Sequence, residues 1–381
     1  MRIFLALCCV AWIVFVLFDG FETLVLPRRV SRSFRYARYF YLGLWRLWRT
    51  LAIWLRQGKR RDNFLSYFGP ISILALFVSW VLALILGFAC LHASLGTLLN
   101  APEQRTNFLT YLYLSGGTFF TFAPGEVTPV HTFGRFLTVA EAGTGFGFIA
   151  IIIGYLPVLY QAFSHRELTI SMLDARAGSP PSAGELFTRL ARARQLRSVS
   201  RFLAEWERWA GELLESHLSF PVLTYYRSQH DNQSWLAALT FILDSSALVL
   251  AAVKDADAYQ AQLAFAMARH AAVDLAMVLH TPPLPPDPDR LPAPEWERLC
   301  RSLQEAGLAL HERTAVASKL AELRSTYEPF VNALARRLLL SLPVWLPEKA
   351  VVDNWQTSAW MRRTAGISNL PLSEADREHL D

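Results

Sequence analysis

The segment that decides the fold is Asn107–Thr121, NFLTYLYLSGGTFFT, which is apolar and aromatic but only 15 residues long. A membrane-spanning helix needs about 20 such residues, so this segment is too short to cross a bilayer. Ala123-Pro124-Gly125 follow it and break a helix. The apolar stretches 71–99 and 133–163 flank it, and each is long enough to span. The chain therefore predicts an outer helix at 71–99, a half-helix at 107–121, an irregular loop at 121–126 and an inner helix at 133–163.

Irregular backbone at membrane depth is tolerated only where protein or a water-filled cavity surrounds it. A half-helix can support a strip of backbone whose carbonyls replace the hydration shell of an ion. Four such units are needed to surround one axis, so we expect a homotetramer.

The pattern TFFTFAPGEVTP at 118–129, with its flanking spans, resembles the two-helix pore module of the potassium-channel superfamily over residues 66–163. The stretches DGFETLVLPRRV, EAGTGFGFIAIIIGYLPVLYQAFSHRE and DARAGSPP are similar to a bacterial group of potassium-channel or ion-channel proteins with one pore module and a helical tail. The resemblance implies a tetrameric channel that conducts a monovalent cation, potassium first, and needs no cofactor.

The filter pattern of that superfamily, Thr-Val-Gly-Tyr-Gly-Asp, falls on Thr121, Phe122, Ala123, Pro124, Gly125 and Glu126. Thr118 matches a threonine in the half-helix before the filter, and Glu126 would place four carboxylates at the outer mouth.

Three filter positions depart from the pattern, namely Phe122, Ala123 and Pro124. Ala123 would pay about 1–2 kcal/mol in a left-handed conformation. Pro124 fixes φ and has no N–H to hold the strip from behind. Three interpretations stay open: a potassium-selective channel, a weakly selective cation channel, and a non-conducting membrane sensor or scaffold that keeps the pore fold.

The inner span contains candidate gate and hinge residues, which are Gly143, Gly145, Gly147, Gly154 and Pro157. The first three glycines permit either bending or close helix packing. Pro157 should kink the helix. Glu141 is an intramembrane acid and so a functional candidate, but it can also lie at the outer interface or pair behind the filter.

Composition and charge set the topology. Of the 381 residues, 53% are hydrophobic and 18% are charged. Eleven Lys and Arg residues and one acid lie between Pro27 and Leu65, which predicts a cytoplasmic segment. Residues 1–26 then form an extra membrane helix with its N-terminus outside. A signal peptide is the alternative, but no small-residue cleavage site follows. We expect a bacterial inner-membrane protein.

The basic elbow at 27–65 interleaves Arg with Tyr, Phe and Trp in FRYARYFYLGLWRLWRTLAIWLRQGKRR. This pattern predicts an interfacial helix that binds anionic lipid headgroups over 28–61. Arg with aromatic residues can also bind single-stranded nucleic acid. We exclude that partner because the segment lies between two spans.

Residues 164–381 predict an all-α cytoplasmic domain, in which a long helix begins at the capping box Ser182–Glu185. The apolar segments 235–253 and 260–279 are interpreted as buried helices of this bundle, with a membrane hairpin as the alternative. The domain follows the inner helix after a short connector (164–182), so we expect it to gate the pore in response to an unidentified ligand.

Candidate metal ligands are sparse. His270 and Asp274 are four residues apart, which favours a hydrogen-bonded core pair over a metal site. The four cysteines have no zinc-site or disulfide spacing. We find no nucleophile–base arrangement and therefore predict no enzymatic activity.

Overall fold

The computed structural model describes residues 1–26, 34–56, 58–102, 107–122, 125–229, 233–254 and 256–348. The chain divides into two compact units, the first ending at Gln161 and the second beginning at Ala162. The parts of the predicted segments that lie outside the described residues are residues 27–33 and 57 of the elbow, residues 103–106 and the filter residues Ala123 and Pro124 of the pore module, and residues 230–232, 255 and 349–381 of the C-terminal domain.

The first unit consists of helices and one two-residue strand pair. Its elements are α1 (Arg2–Leu24), α2 (Tyr36–Trp54), α3 (Lys59–Ser66), α4 (Phe68–Leu95), β1 (Leu99–Asn100), α5 (Phe108–Phe119), β2 (Thr128–Pro129) and α6 (Thr132–Ser171). In the described part of the chain, three segments are long and apolar enough to cross a membrane: Arg2–Leu24, Lys59–Leu95 and Thr132–Ala177. The prediction of an all-α membrane protein with three spanning helices is confirmed.

The helix α4 presents a stripe of apolar side chains that no described residue of the chain covers. Ile71, Leu74, Val78, Leu82 and Leu86 follow one another at helical spacing and are all exposed. Such a stripe is stable in contact with lipid, where a soluble helix would bury it.

The helix α1 packs on α4 by placing its side chains against a glycine of α4. A Cβ atom at Gly87 of α4 would lie 2.8 Å from Cγ1 of Ile13. Trp12 donates its indole N–H to the carbonyl oxygen of Ala83 at 3.0 Å. Small residues at such contacts allow membrane helices to meet without a hydrophobic driving force.

The helix α6 is continuous through Pro157, at which the sequence predicts a kink. It runs past the boundary of the two units, so its residues from Ala162 onward belong to the second unit.

The second unit is built from helices around one central helix. After the end of α6 its elements are α7 (Leu173–Ala177), α8 (Ala183–Arg192), α9 (Ser198–Ser219), a 3₁₀ helix (Pro221–Tyr225), α10 (Trp235–Ala251), α11 (Ala258–Val278), α12 (Ala293–Glu305), α13 (Arg313–Ser325) and α14 (Glu328–Leu338). The central helix is α10, which contacts α8, α9, α11, α13 and α14. Its residues are buried except for Leu250, which is half-buried, so α10 is the core helix of this bundle.

The helix α11 covers one side of α10. Its alanine-rich face is buried, while Arg269 and His270 are exposed. A helix with one buried and one charged face is typical of a globular bundle. The two apolar segments are thus helices of the second unit.

Asp244, which interrupts the apolar sequence of α10, is satisfied by a buried ionic network. It binds Arg290 as an ion pair and accepts a hydrogen bond from the hydroxyl of Tyr327 at 2.6 Å. Arg290 also pairs with Glu328 at 3.2 Å. The proline-rich loop that precedes α12 carries Arg290, so this loop supplies a core residue as well as a connection.

Candidate functional site

The half-helix α5 belongs to a re-entrant segment of the chain. Leu99 of β1 pairs with Pro129 of β2, and Asn100 pairs with Thr128, in an antiparallel ladder. The backbone N–H of Val130 also donates to the carbonyl oxygen of Leu98 at 2.9 Å. The chain therefore returns, after α5 and the loop, to the level at which it left α4. Periodicity could not reveal this pairing because each strand has only two residues.

A capping box begins α5. The side chain of Asn107 accepts a hydrogen bond from the backbone N–H of Thr110 at 2.9 Å, and the Thr110 hydroxyl lies 3.4 Å from the backbone nitrogen of Asn107. This reciprocal arrangement satisfies two of the free N–H groups at the helix start. Tyr111 then ties the helix to the ladder region by donating to the carbonyl oxygen of Thr97 at 2.9 Å.

The half-helix ends at the first predicted filter residue. The N–H of Thr121 donates to the carbonyl oxygen of Thr118 at 3.0 Å, and the N–H of Phe122 donates to the carbonyl oxygen of Gly117 at 2.8 Å. This pair of bonds is the Schellman motif, which places the residue at Thr121 in the left-handed region. Its φ is 57°, a conformation that a β-branched residue rarely adopts.

The outer helix ends in the same motif with the residue that the motif prefers. Gly96 has φ 65°, its N–H donates to the carbonyl oxygen of Ala93 at 3.1 Å, and the N–H of Thr97 donates to that of His92 at 3.0 Å. The strain at Thr121 is therefore a property of that residue and not of the motif.

The remaining predicted filter residues that the structure describes lie at the exposed end of the segment. Phe122, Gly125 and Glu126 are exposed, and Thr118 is buried. The carboxylate of Glu126 accepts a hydrogen bond from the hydroxyl of Tyr113, on α5, at 2.9 Å. Tyr113 thus holds the predicted mouth acid, which sequence reasoning did not find because the two residues are 13 positions apart.

Glu141 lies fully buried behind α5. It accepts a hydrogen bond from the hydroxyl of Ser115 on α5, and its carboxylate lies 3.7 Å from Nε2 of His92 on α4. Ser115 also contacts the carbonyl oxygen of Ile85 at 3.0 Å. Of the predicted placements of Glu141, the structure shows the one in which its side chain pairs with other groups behind the half-helix. The cluster joins α4, α5 and α6, and no sequence signal singled out His92 or Ser115.

The predicted hinge glycines differ in their surroundings. A Cβ atom at Gly145 would lie 2.3 Å from the carbonyl oxygen of Phe119, the last residue of α5. Gly143, Gly147 and Gly154 have no atom within 4 Å of such a Cβ. Gly145 therefore permits close packing of α6 against the end of α5, whereas the other three are sterically free in the single chain.

Asp19, an acid within α1, is satisfied by two neighbouring helices. Its carboxylate accepts hydrogen bonds from the backbone N–H groups of Tyr36 and Ala37, at 2.9 and 3.2 Å, and from the indole of Trp80 at 3.1 Å. It therefore caps the N-terminus of α2 from a distant part of the sequence. The three helices α1, α2 and α4 meet at this side chain.

The last turns of α6 lie in the core of the second unit. Arg166 is buried, pairs with Glu167 at 2.8 Å, and donates to the carbonyl oxygens of Leu223 and Tyr226 at 3.0 Å each. Its Nη1 also lies 3.3 Å from Nε2 of His217.

His217 is held as a neutral ring in this core. Its Nδ1 lies 2.8 Å from the carbonyl oxygen of Leu213 and carries the proton, so Nε2 accepts from Arg166. Burial lowers the pKa of His217 well below its usual value, and the charge of Arg166 lowers it further.

The predicted pair of His270 and Asp274 is a surface ion pair. The two side chains are 3.8 Å apart, and the side chain of His270 is 61% exposed, so it is not the core pair that the spacing suggested. Within the described part of the chain, no group of three or more His, Cys, Asp or Glu residues could hold a metal ion.

Comparison with known proteins agrees with this architecture. The sequence model of a family described as "Ion channel" matches residues 74–161, which is less than a quarter of the chain. The chain is also similar to YdjJ of Bacillus subtilis (strain 168), described as an uncharacterized membrane protein. The two are 23% identical over 300 residues, which cover 76% of this chain and 85% of the relative. No solved structure matches the chain significantly. The chain is therefore an all-α integral membrane protein whose residues 74–161 are similar to ion channels.

Proposed function

We propose that this protein is a tetrameric cation channel, with potassium as its first permeant ion. The observation that carries the proposal is the re-entrant segment: α5 and its loop leave and return at the β1–β2 ladder between two membrane-length helices. Backbone carbonyls of the loop 121–125 would line the pore, and Glu126 would attract cations at its mouth. The match of residues 74–161 to ion channels supports this assignment.

Four copies around one axis complete the pore. The helix α6 exposes a set of large apolar side chains within the single chain: Phe133, Phe136, Val139, Phe146 and Ile153. Contact with neighbouring copies and with lipid accounts for this exposure.

A weakly selective cation channel is the second candidate, and one observation favours it. The N–H groups of Thr121 and Phe122 are used to end α5, and Thr121 has φ 57°. A strip that begins in this way differs from an extended row of four equally spaced carbonyls, which selective potassium binding requires.

The charge distribution supports the predicted orientation of the chain in the membrane. The exposed basic residues of α2 and α3 lie between the end of α1 and the start of α4, so this side of the membrane would be cytoplasmic and the N-terminus would lie outside. The ladder and Glu126 would then face outward, and the second unit would be cytoplasmic.

The second unit would gate the pore through α6. The last turns of α6, held by Arg166 and its carbonyl partners, are part of the core of that unit. A ligand that favours one conformation of the unit would therefore act directly on the inner helix. We place the gate in the α6 segment that contains Gly154 and Pro157.

Cation flux from liposomes tests the proposal. The full-length protein should release potassium, and Glu126→Gln should reduce the flux several-fold at low ionic strength and less at high ionic strength, because salt screens the mouth charge. Tyr113→Phe keeps that charge and removes only its hydrogen bond, so it serves as the matched control with a smaller effect. No cation flux under any condition would leave the non-conducting sensor or scaffold instead.

The double variant Ala123→Gly with Pro124→Tyr tests the ion preference. Glycine accepts the left-handed conformation and the proline restriction is removed, so the potassium-to-sodium flux ratio should rise. An unchanged ratio would show that these two residues do not set the selectivity.

A further inference from the structure

The helix α2 packs on the spanning region through one narrow face. Trp45, Trp48 and Ala52 are spaced i, i+3 and i+7 on this face. Trp45 meets the ring of Phe68 at a centroid distance of 4.8 Å, and Trp48 stacks on Phe64 at 4.7 Å. These contacts fix the rotation of α2 about its own axis.

A second face of α2 is apolar and exposed. Leu47, Leu51 and Trp54 are spaced i, i+4 and i+7, and their exposed fractions are 60%, 43% and 81%. At 3.6 residues per turn this stripe lies about a third of a turn from the packed face. No described residue of the chain covers the stripe.

The third face of α2 is basic. Arg46 lies on it, Arg49 lies at its border with the packed face, and Arg56 and Arg60 continue the charge into the α2–α3 corner. Arg46, Arg56 and Arg60 are exposed. The sequence from 34 to 61 contains no Asp or Glu.

The N-terminus and the middle of α2 are fixed at one surface of the membrane. Asp19, near the C-terminal end of α1, caps the N-terminus of α2, and Phe68, the first residue of α4, packs on Trp45. Because α1 ends and α4 begins on the same side of the bilayer, α2 lies along that side.

We propose that α2 and the α2–α3 corner form a docking surface for anionic phospholipids. The stripe of Leu47, Leu51 and Trp54 sits at the boundary of the acyl chains, and Arg46, Arg56 and Arg60 bind the headgroup phosphates. An interfacial helix needs an apolar face and a basic face on different sides, and α2 has both with a third face held by protein. This surface acts whether or not the pore conducts.

Native mass spectrometry of the full-length protein, titrated with phosphatidylglycerol or phosphatidylcholine, tests whether the basic residues of this surface bind anionic headgroups. The variant Arg46→Gln/Arg56→Gln/Arg60→Gln should bind phosphatidylglycerol about tenfold more weakly and phosphatidylcholine equally well. The matched control carries the same change at three exposed arginines of the second unit, Arg192, Arg194 and Arg197, and should keep the preference. The proposal would be overturned if both variants lost phosphatidylglycerol binding equally, or if the Arg46→Gln/Arg56→Gln/Arg60→Gln variant lost none.

A depth measurement tests the apolar stripe separately. In a background without the four natural cysteines, a bimane probe at Leu51→Cys should be quenched by a spin label at the lipid headgroup in phosphatidylglycerol vesicles. A probe at Asn63→Cys, exposed on α3, should be quenched less. Equal quenching at both positions would show that the stripe faces water.

Excess inorganic phosphate should not displace the lipid, because a free ion lacks the acyl chain; displacement would instead indicate a simple anion site.

Discussion

At the scale of single residues, Thr121 has an unfavourable backbone conformation and lies where α5 meets the predicted filter. It ends α5 at φ 57°, where a glycine would be unstrained. A left-handed conformation costs about 1–2 kcal/mol, and glycine costs about 0.5–1 kcal/mol in lost chain entropy. Thr121→Gly should therefore stabilise the protein by up to about 1 kcal/mol, measured as thermal unfolding in detergent.

The reciprocal change is the control for that prediction. Gly96→Thr puts the same strain at the end of α4, where φ is 65°, and removes the entropy cost of glycine, so it should destabilise by up to about 1 kcal/mol. If Thr121→Gly is destabilising while Gly96→Thr behaves as expected, the Thr121 side chain has a contact that outweighs its strain.

His217 makes the second unit sensitive to acid. Because its pKa is lowered in the folded state, the unfolded chain binds more protons as the pH falls below about 6.5. Stability should be full above that pH and fall by up to about 1.4 kcal/mol per pH unit below it, until the pH reaches the folded-state pKa. Unfolding monitored at pH 7.5 and 5.5 measures this loss.

The exposed His270 provides the comparison for the acid effect. His217→Gln should flatten the pH dependence of unfolding between these two values, and His270→Gln, at a side chain that is 61% exposed, is the matched surface substitution. The same slope in wild type and in His217→Gln would exclude His217 as the cause.

At the scale of elements, the contact between α5 and α6 depends on one missing side chain. Gly145→Ala would place a Cβ atom 2.3 Å from the carbonyl oxygen of Phe119, so one helix must shift. Overpacking of this kind costs about 1–3 kcal/mol. We expect a lower unfolding temperature together with reduced cation flux from liposomes.

Gly143→Ala and Gly147→Ala separate packing from hinge bending. Neither Cβ would meet an atom within 4 Å in the single chain, so both variants should keep the stability of the protein. If these two variants lose flux while Gly145→Ala keeps it, then bending of α6 and not its packing on α5 limits conduction.

At the scale of the whole molecule, the proposed pore would need more than one chain. One copy supplies one α5 and one Glu126, which cannot enclose an axis. Native mass spectrometry of the protein released from nanodiscs should give four chains as the dominant species. A monomer or dimer that still conducts would contradict the pore architecture proposed here.

Much of this architecture is readable from short sequence patterns. Apolar runs gave the three long helices, the 15-residue length of 107–121 indicated a half-helix, and Pro and Gly marked its end. These signals work because burial in lipid requires continuous apolar length and because proline and glycine have distinct backbones. The contacts of Asp19, Glu141 and Tyr113 were not readable in this way, since their partners lie between 13 and 61 residues away.

The sequence by itself determined that the chain enters the membrane three times, with a half-helix before the last span and a basic aromatic segment after the first. Local hydrophobicity and charge suffice for these features because each residue contributes almost independently to transfer into lipid. Only the tertiary structure decided that Glu141 pairs with Ser115 behind the half-helix, that Gly145 serves close packing, and that α10 is a core helix. Hydrogen bonding and steric exclusion depend on atoms from distant parts of the chain, which only folding brings together.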